Sequence, residues 1–353
     1  MLLLVMGFLW FGCATARAAD AVPATAYFPV FPYNAQGNAP PQFVPVAANH
    51  KLDGVHRGIT RAIIVIHGSD RDANDALAGM ASLAGAANAE TMIVAPQFLL
   101  PSDIARVAAH LPDQGQLFAA WQANDWPYGG NSSATPPQQG ISSFTVIDLL
   151  LMYVSDPDVF PDMKTVVVAG AGTGADFVQR YAAFSRAAAP LAKQDINLRF
   201  IVAGAHSYLY MTENRMLGGR NGFGQPDVKV CPAYDAYPYG LENLNPYAGR
   251  AGANAAKLDY ATRFITYLNA PGGNSEQKAN CAVLDQGATA AVRAKNFRLY
   301  LRSIYSGVAS RTQVFSFDHS AKGDALGLFG SSCGMEVLFG DGMCPEVPES
   351  AAQ

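Results

Sequence analysis

An α/β fold with a mostly parallel, doubly wound sheet is predicted by three features of this sequence. Short apolar runs, rich in β-branched residues, recur along the chain. Segments with helical spacing separate them, and one later stretch rich in Gly, Asn, Pro and Tyr interrupts the alternation. Strands that are apolar at every position are buried on both faces, which requires helices on both sides of a parallel sheet.

The elements follow in order. Residues 20–60 are rich in Pro, Ala and Asn, lack a helical period and read as an extended arm or edge strands. The first central strand is 62–66 (AIIVI), followed by helical composition over 75–88 and a second strand at 92–95 (MIVA). Apolar residues at helical spacing mark 143–155. Strand 165–169 (TVVVA) leads to a helix over 175–189 with Phe177, Val178, Tyr181 and Phe184 on one face. Strands 200–203 and 264–268, a helix over 292–306 and a last strand at 313–317 complete the series. The stretch 211–250 breaks the pattern. Gly218-Gly219 and Asn221-Gly222 are hairpin-turn signals, so an insertion is expected over the carboxyl edge of the sheet, where sites of α/β folds lie.

The 353 residues are 50% hydrophobic and 15% charged, which is the composition of a globular chain and not of a disordered one. The formal charge is −4, with no basic run longer than two residues, which argues against a nucleic-acid surface. Residues 1–19 form an apolar run closed by Ala16-Arg17-Ala18, the pattern of a signal peptide, although no Lys or Arg precedes the run. A lipid anchor at Cys13 is disfavoured by Trp10. Residues 20–353 are then expected to form a single exported domain without a membrane span. Cys231, Cys281, Cys333 and Cys344 remain, and an even count in an exported chain points to disulfides. Three pairings are open, of which Cys231–Cys281 and Cys333–Cys344 are favoured. No Cys-x-x-Cys or His-x-Glu pair supports zinc, so no metal and no cofactor are expected.

The stretch 166–176 (VVVAGAGTGAD) carries the chemistry. A buried strand, small residues and a helix in succession form the nucleophile elbow of α/β-hydrolases, Gly-x-Ser-x-Gly. Gly170 and Gly174 have that spacing, but the central residue is Gly172. A dinucleotide turn is the rival reading, with Ala175 as the last small residue and Asp195 as the acid. It is rejected because that fingerprint follows the first strand of its unit, whereas this turn is mid-sheet. His67-Gly68-Ser69 directly after a strand is read as the oxyanion turn, which assigns the donors as Ser69 N–H and Thr173 N–H. Chain order then places the acid after strand 264–268, where Glu276 is the first carboxylate and Asp285 the next. The same order places the histidine after the last strand, which selects His319 among six.

Several runs carry a family resemblance: 64–73 (IVIHGSDRDA), 93–98 (IVAPQF), the pair Trp121 and Trp126, 166–182 (VVVAGAGTGADFVQRYA), 207–210 (SYLY), 231–247 (CPAYDAYPYGLENLNPY) and 281–287 (CAVLDQG). Together they resemble the oxidized polyvinyl alcohol hydrolases, secreted α/β-hydrolases that act on β-diketones, over most of residues 40–340. The resemblance implies cleavage of the C–C bond between two carbonyls of a small or polymeric diketone, giving a carboxylic acid and a methyl ketone. It also implies a ribbon lid, which falls at 211–230. Trp126 is expected either to contact substrate or to pack in the core, and the protein is expected to be a monomer. Two departures stand out. The relatives carry Ser where Gly172 stands, and an Asp near Gly273 or Asn274. Because the rest of the apparatus is kept, Gly172 reads as a serine-to-glycine replacement that removes the nucleophile and spares the cleft. An ordinary secreted esterase or polymer depolymerase, equally without its nucleophile, and a non-catalytic binding protein are the alternatives.

Overall fold

The structure is a computed structural model and describes residues 25–30, 42–105, 118–133, 140–217, 222–270, 280–305, 307, 312–318 and 322–344. Its strands are β1 (Thr25–Val30), β2 (Gln42–Ala48), β3 (Arg61–Ile66), β4 (Thr91–Pro96), β5 (Thr165–Ala171), β6 (Asn197–Ala203), β7 (Arg215–Met216), β8 (Phe223–Gly224), β9 (Phe264–Asn269) and β10 (Gln313–Phe317). Eight of them form one sheet in the order β1-β2-β4-β3-β5-β6-β9-β10. β1 and β2 pair antiparallel, as do β2 and β4, and every other pairing in this sheet is parallel. The sequence expectation for 20–60 thus resolves, over its described part, into two strands at one side of the sheet, with β1 at the edge and β2 between it and β4.

The continuous apolar runs have a direct physical reason. Along β3, Ala62, Ile64 and Ile66 join one core, while Ile63 and Val65 join the other. β5 and β6 alternate the same way: Val166, Val168, Phe200 and Val202 on one face, Val167, Ala169, Ile201 and Ala203 on the other. Both faces are covered along the middle of these strands, so their central positions are buried, while Asn197 at the start of β6 is exposed. The helices Ser143–Val154, Thr173–Phe184 and Ala290–Ile304 fill the first core through residues such as Phe144, Leu150, Phe177, Tyr181 and Phe297. The helices Ala73–Ala84 and Ser332–Phe339 cover the second through Met80, Val337 and Leu338. Each fully buried Ile or Val contributes about 1.5–3 kcal/mol relative to exposure.

Helix starts fall where side-chain caps exist. Asp72 accepts from the amides of Asn74 and Asp75, Ser142 from Phe144, and Thr289 from Val292. The second helix after β5 is separate: Thr173–Phe184 ends at Ser185, and a short helix Ala188–Ala192 follows.

Both favoured disulfides are present. Cys231 and Cys281 are bonded with their Cα atoms 5.7 Å apart, and Cys333 is bonded to Cys344. The interrupting segment holds the small antiparallel ribbon of β7 and β8, while 218–221 lie outside the described residues. Its stem is less exposed than a free-standing lid. Met211 and Arg215 are fully buried, and the Arg215 guanidinium donates to Asp235 at 2.9 Å. A buried cation with a partner must be fixed in place, so this end of the segment belongs to the packed body. Among the described residues no helix is long and apolar enough to cross a membrane.

Candidate active site

β3 lies between β4 and β5, so the chain runs from β3 to β4 on one side and then crosses to β5 on the other, and the cavity opens at the carboxyl ends of β5, β6 and β9. At the end of β5 the backbone turns sharply. Gly172 has φ 57° and ψ −117° and caps the helix Thr173–Phe184. Its neighbours show why the turn needs small residues. A Cβ on Gly170 would sit 2.2 Å from the Gly174 carbonyl oxygen, and one on Gly174 would sit 2.4 Å from the carbonyl oxygen of Ile66. The elbow therefore presses against the end of β3, where the His67-Gly68-Ser69 turn begins.

Position 172 itself is different. Among the described residues, a Cβ there meets nothing closer than the His206 ring, with Cε1 at 3.5 Å and Nε2 at 3.9 Å. These are ordinary van der Waals distances, so the elbow has room for a side chain beside a histidine.

His206 lies in the loop after β6. Its Nδ1 is 3.0 Å from Oδ2 of Asp176, a residue in the first turn of the helix Thr173–Phe184. The other oxygen of Asp176 accepts the backbone N–H groups of His206 at 2.9 Å and Ser207 at 3.1 Å. Since Asp176 can only accept, His206 carries its proton on Nδ1, and Nε2 is left with its lone pair on the side of Gly172. The imidazole remains 28% exposed while the carboxylate is buried. The hydrogen bond and charge of Asp176 raise the His206 pKa above the ordinary 6.5, against the opposing effects of burial and of Arg293 and Arg180.

The loop carrying His206 lacks regular structure yet is buried through 207–211. Its backbone groups are satisfied by side chains instead. Arg180 donates to the Ser207 carbonyl at 2.6 Å and to its hydroxyl at 2.8 Å. Gln286 accepts the Tyr208 N–H and donates to the Tyr208 carbonyl, both at 2.8 Å. Gln179 accepts the Leu209 N–H at 3.0 Å, and Arg293 donates to the His206 carbonyl at 2.6 Å. Four side chains thus hold the ring in register with the elbow, which gives the SYLY and CAVLDQG runs a shared structural purpose.

A cavity of 310 Å³ opens here, lined by Gly172, Ala203, His206, Asn269 and other small residues. The Thr173 amide, first in its helix, has no intrahelical acceptor and lies at the positive end of the helix dipole.

The remaining expectations are placed as follows. His319 and Glu276 lie outside the described residues. Asp285 ends the short helix Cys281–Leu284, and the carboxylate brought to a histidine at the elbow is that of Asp176. Ser69 stands at the turn after β3, on the same edge as Thr173. Trp126 is only 2% exposed and Trp121 fully buried. Trp126 stacks on Phe98 with ring centres 5.5 Å apart and lies 4.7 Å from His67. Of the two roles open to these tryptophans, packing is the one their burial supports. His206 and Asp176 were not singled out from sequence. The order nucleophile, acid, histidine is satisfied by 172, 176 and 206 as well, but a histidine after the last strand satisfies it too, and chain order alone does not separate the two. Among the described residues no cluster of His, Cys, Asp or Glu could hold a metal ion.

This sheet order, elbow and cleft define the α/β-hydrolase fold. Two solved structures that the chain resembles share it. One is LpqC, a poly(3-hydroxybutyrate) depolymerase from Bordetella parapertussis, with 15% identity over 94% of both chains and a TM-score of 0.54. The other is poly(aspartic acid) hydrolase-1 from Sphingomonas sp. KT-1, with 16% identity over 90% of this chain and 99% of that one, and the same TM-score of 0.54. No protein-family model and no curated protein matches the chain.

Proposed function

We propose that this protein is an exported hydrolase of carboxylic esters, its substrate a polymer or a fragment of one. The observation that carries the reading is the elbow. Gly172 sits at a strained strand-to-helix turn that hydrolases of this fold use to present a nucleophile, with a histidine against it. The two depolymerases of like fold support a polymeric substrate, and the two disulfides support export. In this reading the amides of Ser69 and Thr173 hold the oxyanion of the tetrahedral intermediate.

A second reading, cleavage of β-diketones, rests on the sequence runs around Cys231 and Cys281. There the leaving group is a carbon, tolerable because it departs as the enolate of the second ketone. His319, with Glu276 behind it, is the general base that chain order assigns in either case.

Gly172→Ser distinguishes the readings. The variant is expected to cleave p-nitrophenyl acetate through an acyl-enzyme. Cleavage of acetylacetone at a comparable rate would favour the diketone reading. If neither the folded variant nor the unmodified chain cleaves either substrate, yet the protein binds small ketones, the hydrolase assignment falls and the protein is a binding pseudohydrolase. A further His319→Ala change tests the order-based triad, where loss of one member costs on the order of 10⁶ in kcat.

A further inference from the structure

We propose that His206, held by Asp176, is a general base that delivers a water molecule directly to a substrate carbonyl in the cleft beside Gly172. The proposal rests on the reading of this cleft as a hydrolase site, and it assigns that site a base other than His319.

Three observations converge on it. The first is position: among the described residues the His206 ring is the nearest group to where a side chain at 172 would stand, and both residues line the same 310 Å³ cavity. Glycine leaves that side-chain space open to a water or a substrate oxygen. The second is orientation. Asp176 holds the ring through Nδ1 and is itself anchored by the backbone N–H of the same residue, so Nε2 cannot rotate away without breaking the bond to a fixed carboxylate. A general base needs this preorganisation more than it needs a nucleophile to deprotonate. The third is support. Arg180 lies 3.6 Å from Asp176 and clamps Ser207, while Arg293 clamps the His206 carbonyl. These are the charged groups facing the pair from the described elements. A histidine with only a packing role would not require a buried carboxylate and two buried arginines around an imidazole that is itself part-exposed.

The step balances without a covalent enzyme intermediate. Nε2 accepts a proton from water as the water oxygen bonds to the carbonyl carbon, and the C=O electron pair moves onto the oxygen. The collapse of that intermediate breaks the bond to the alcohol oxygen, which takes the proton from Nε2–H. One ester and one water become one carboxylic acid and one alcohol, and His206 returns to its starting state. The Asp176 carboxylate stabilises the transient imidazolium and is a positioning residue.

The unmodified chain with p-nitrophenyl acetate provides the test. Turnover is expected without an initial burst of nitrophenol and without an acyl adduct by mass. His206→Ala should lower kcat about 10²- to 10⁴-fold with KM little changed, and added imidazole should restore part of the rate, which no merely structural role would allow. Asp176→Asn should shift the acidic limb of the pH–rate profile downward. His206→Gln, checked by its circular dichroism and melting curve, controls for folding. Unchanged turnover in His206→Ala, or an acyl adduct on the unmodified chain, overturns the proposal. If the unmodified chain is inert while Gly172→Ser is active and depends on His319, the water route falls and the hydrolase reading stands. If both proteins are inert, both fall.

Discussion

The imidazole Nε2 of His67 accepts the backbone N–H of Phe98 at 3.0 Å, locking the turn after β3 to the segment after β4. Its Nδ1–H donates to the Gly68 carbonyl at 2.9 Å, so the ring is neutral with both nitrogens used. This histidine is a structural pin for the turn after β3 and has no free nitrogen for catalysis.

Burial pushes the His67 pKa down to about 4 from 6.5. The unfolded chain therefore takes up a proton in a range where the folded chain does not. The stabilisation is fully present above about pH 6.5 and is lost as pH falls toward 4, by about 3 kcal/mol in total. Urea melts of the whole protein at pH 7, 6, 5 and 4.5 should show that slope. His67→Gln, which keeps an acceptor for Phe98, should be less stable at pH 7 and lose the part of the slope that is His67's. An unchanged slope would show that other groups dominate acid sensitivity.

Gln286 acts as a short strand edge for Tyr208, taking up both its amide and its carbonyl. Gln286→Ala leaves two buried backbone groups unpaired, at about 1–3 kcal/mol each. Because Tyr208 lies two residues from His206, any hydrolytic activity should fall more than the lost stability explains. Hydrogen exchange at the Tyr208 amide reads the local opening directly. Protection unchanged from the parent would contradict the clamp.

The fold was legible because its strands declare themselves: a run such as 62–66 has no polar position and must be doubly covered. The elbow was legible for the same kind of reason, since Gly170 and Gly174 answer a steric demand: a Cβ at either would stand 2.2–2.4 Å from a backbone carbonyl oxygen. The pairing of Asp176 with His206 was not. Asp176 and His206 are 30 residues apart with a strand between them, and the loop that joins them to the cleft has no periodicity. Its order comes from Arg180, Gln179, Gln286 and Arg293, which reach it from helices and loops elsewhere in the chain. Side-chain satisfaction of an irregular backbone leaves no pattern in a linear sequence. Trp126 was ambiguous for a related reason: indoles serve cores and clefts alike, and only burial separates the two.

The Cys231–Cys281 bond closes a loop of 50 residues that carries much of the interrupting segment. In the chain-entropy model such a closure stabilises by about 4 kcal/mol, and the 11-residue separation of Cys333 and Cys344 by about 3 kcal/mol. The double change Cys231→Ser, Cys281→Ser should lower stability more than Cys333→Ser, Cys344→Ser. Non-reducing peptide mapping checks the pairing first, and four free thiols would contradict it.

The three glycines of the elbow should respond to alanine in opposite ways, although they are two residues apart. At Gly170 and Gly174 the added methyl meets backbone carbonyl groups, which have no rotamer to escape into. Relief requires the turn after β5 to lift away from β3, so Gly174→Ala should cost about 3 kcal/mol or more and spread the two turns that flank the cleft. At Gly172 the methyl finds, among the described residues, van der Waals contact with His206 only. The remaining cost is the positive φ of 57°, about 1–2 kcal/mol for a residue with a Cβ. Gly172→Ala should thus fold almost as well as the parent, while filling part of the space a water needs beside His206. Thermal melts rank the three variants. A Gly172→Ala protein as unstable as Gly174→Ala would mean that position 172 is not the open apex of the elbow.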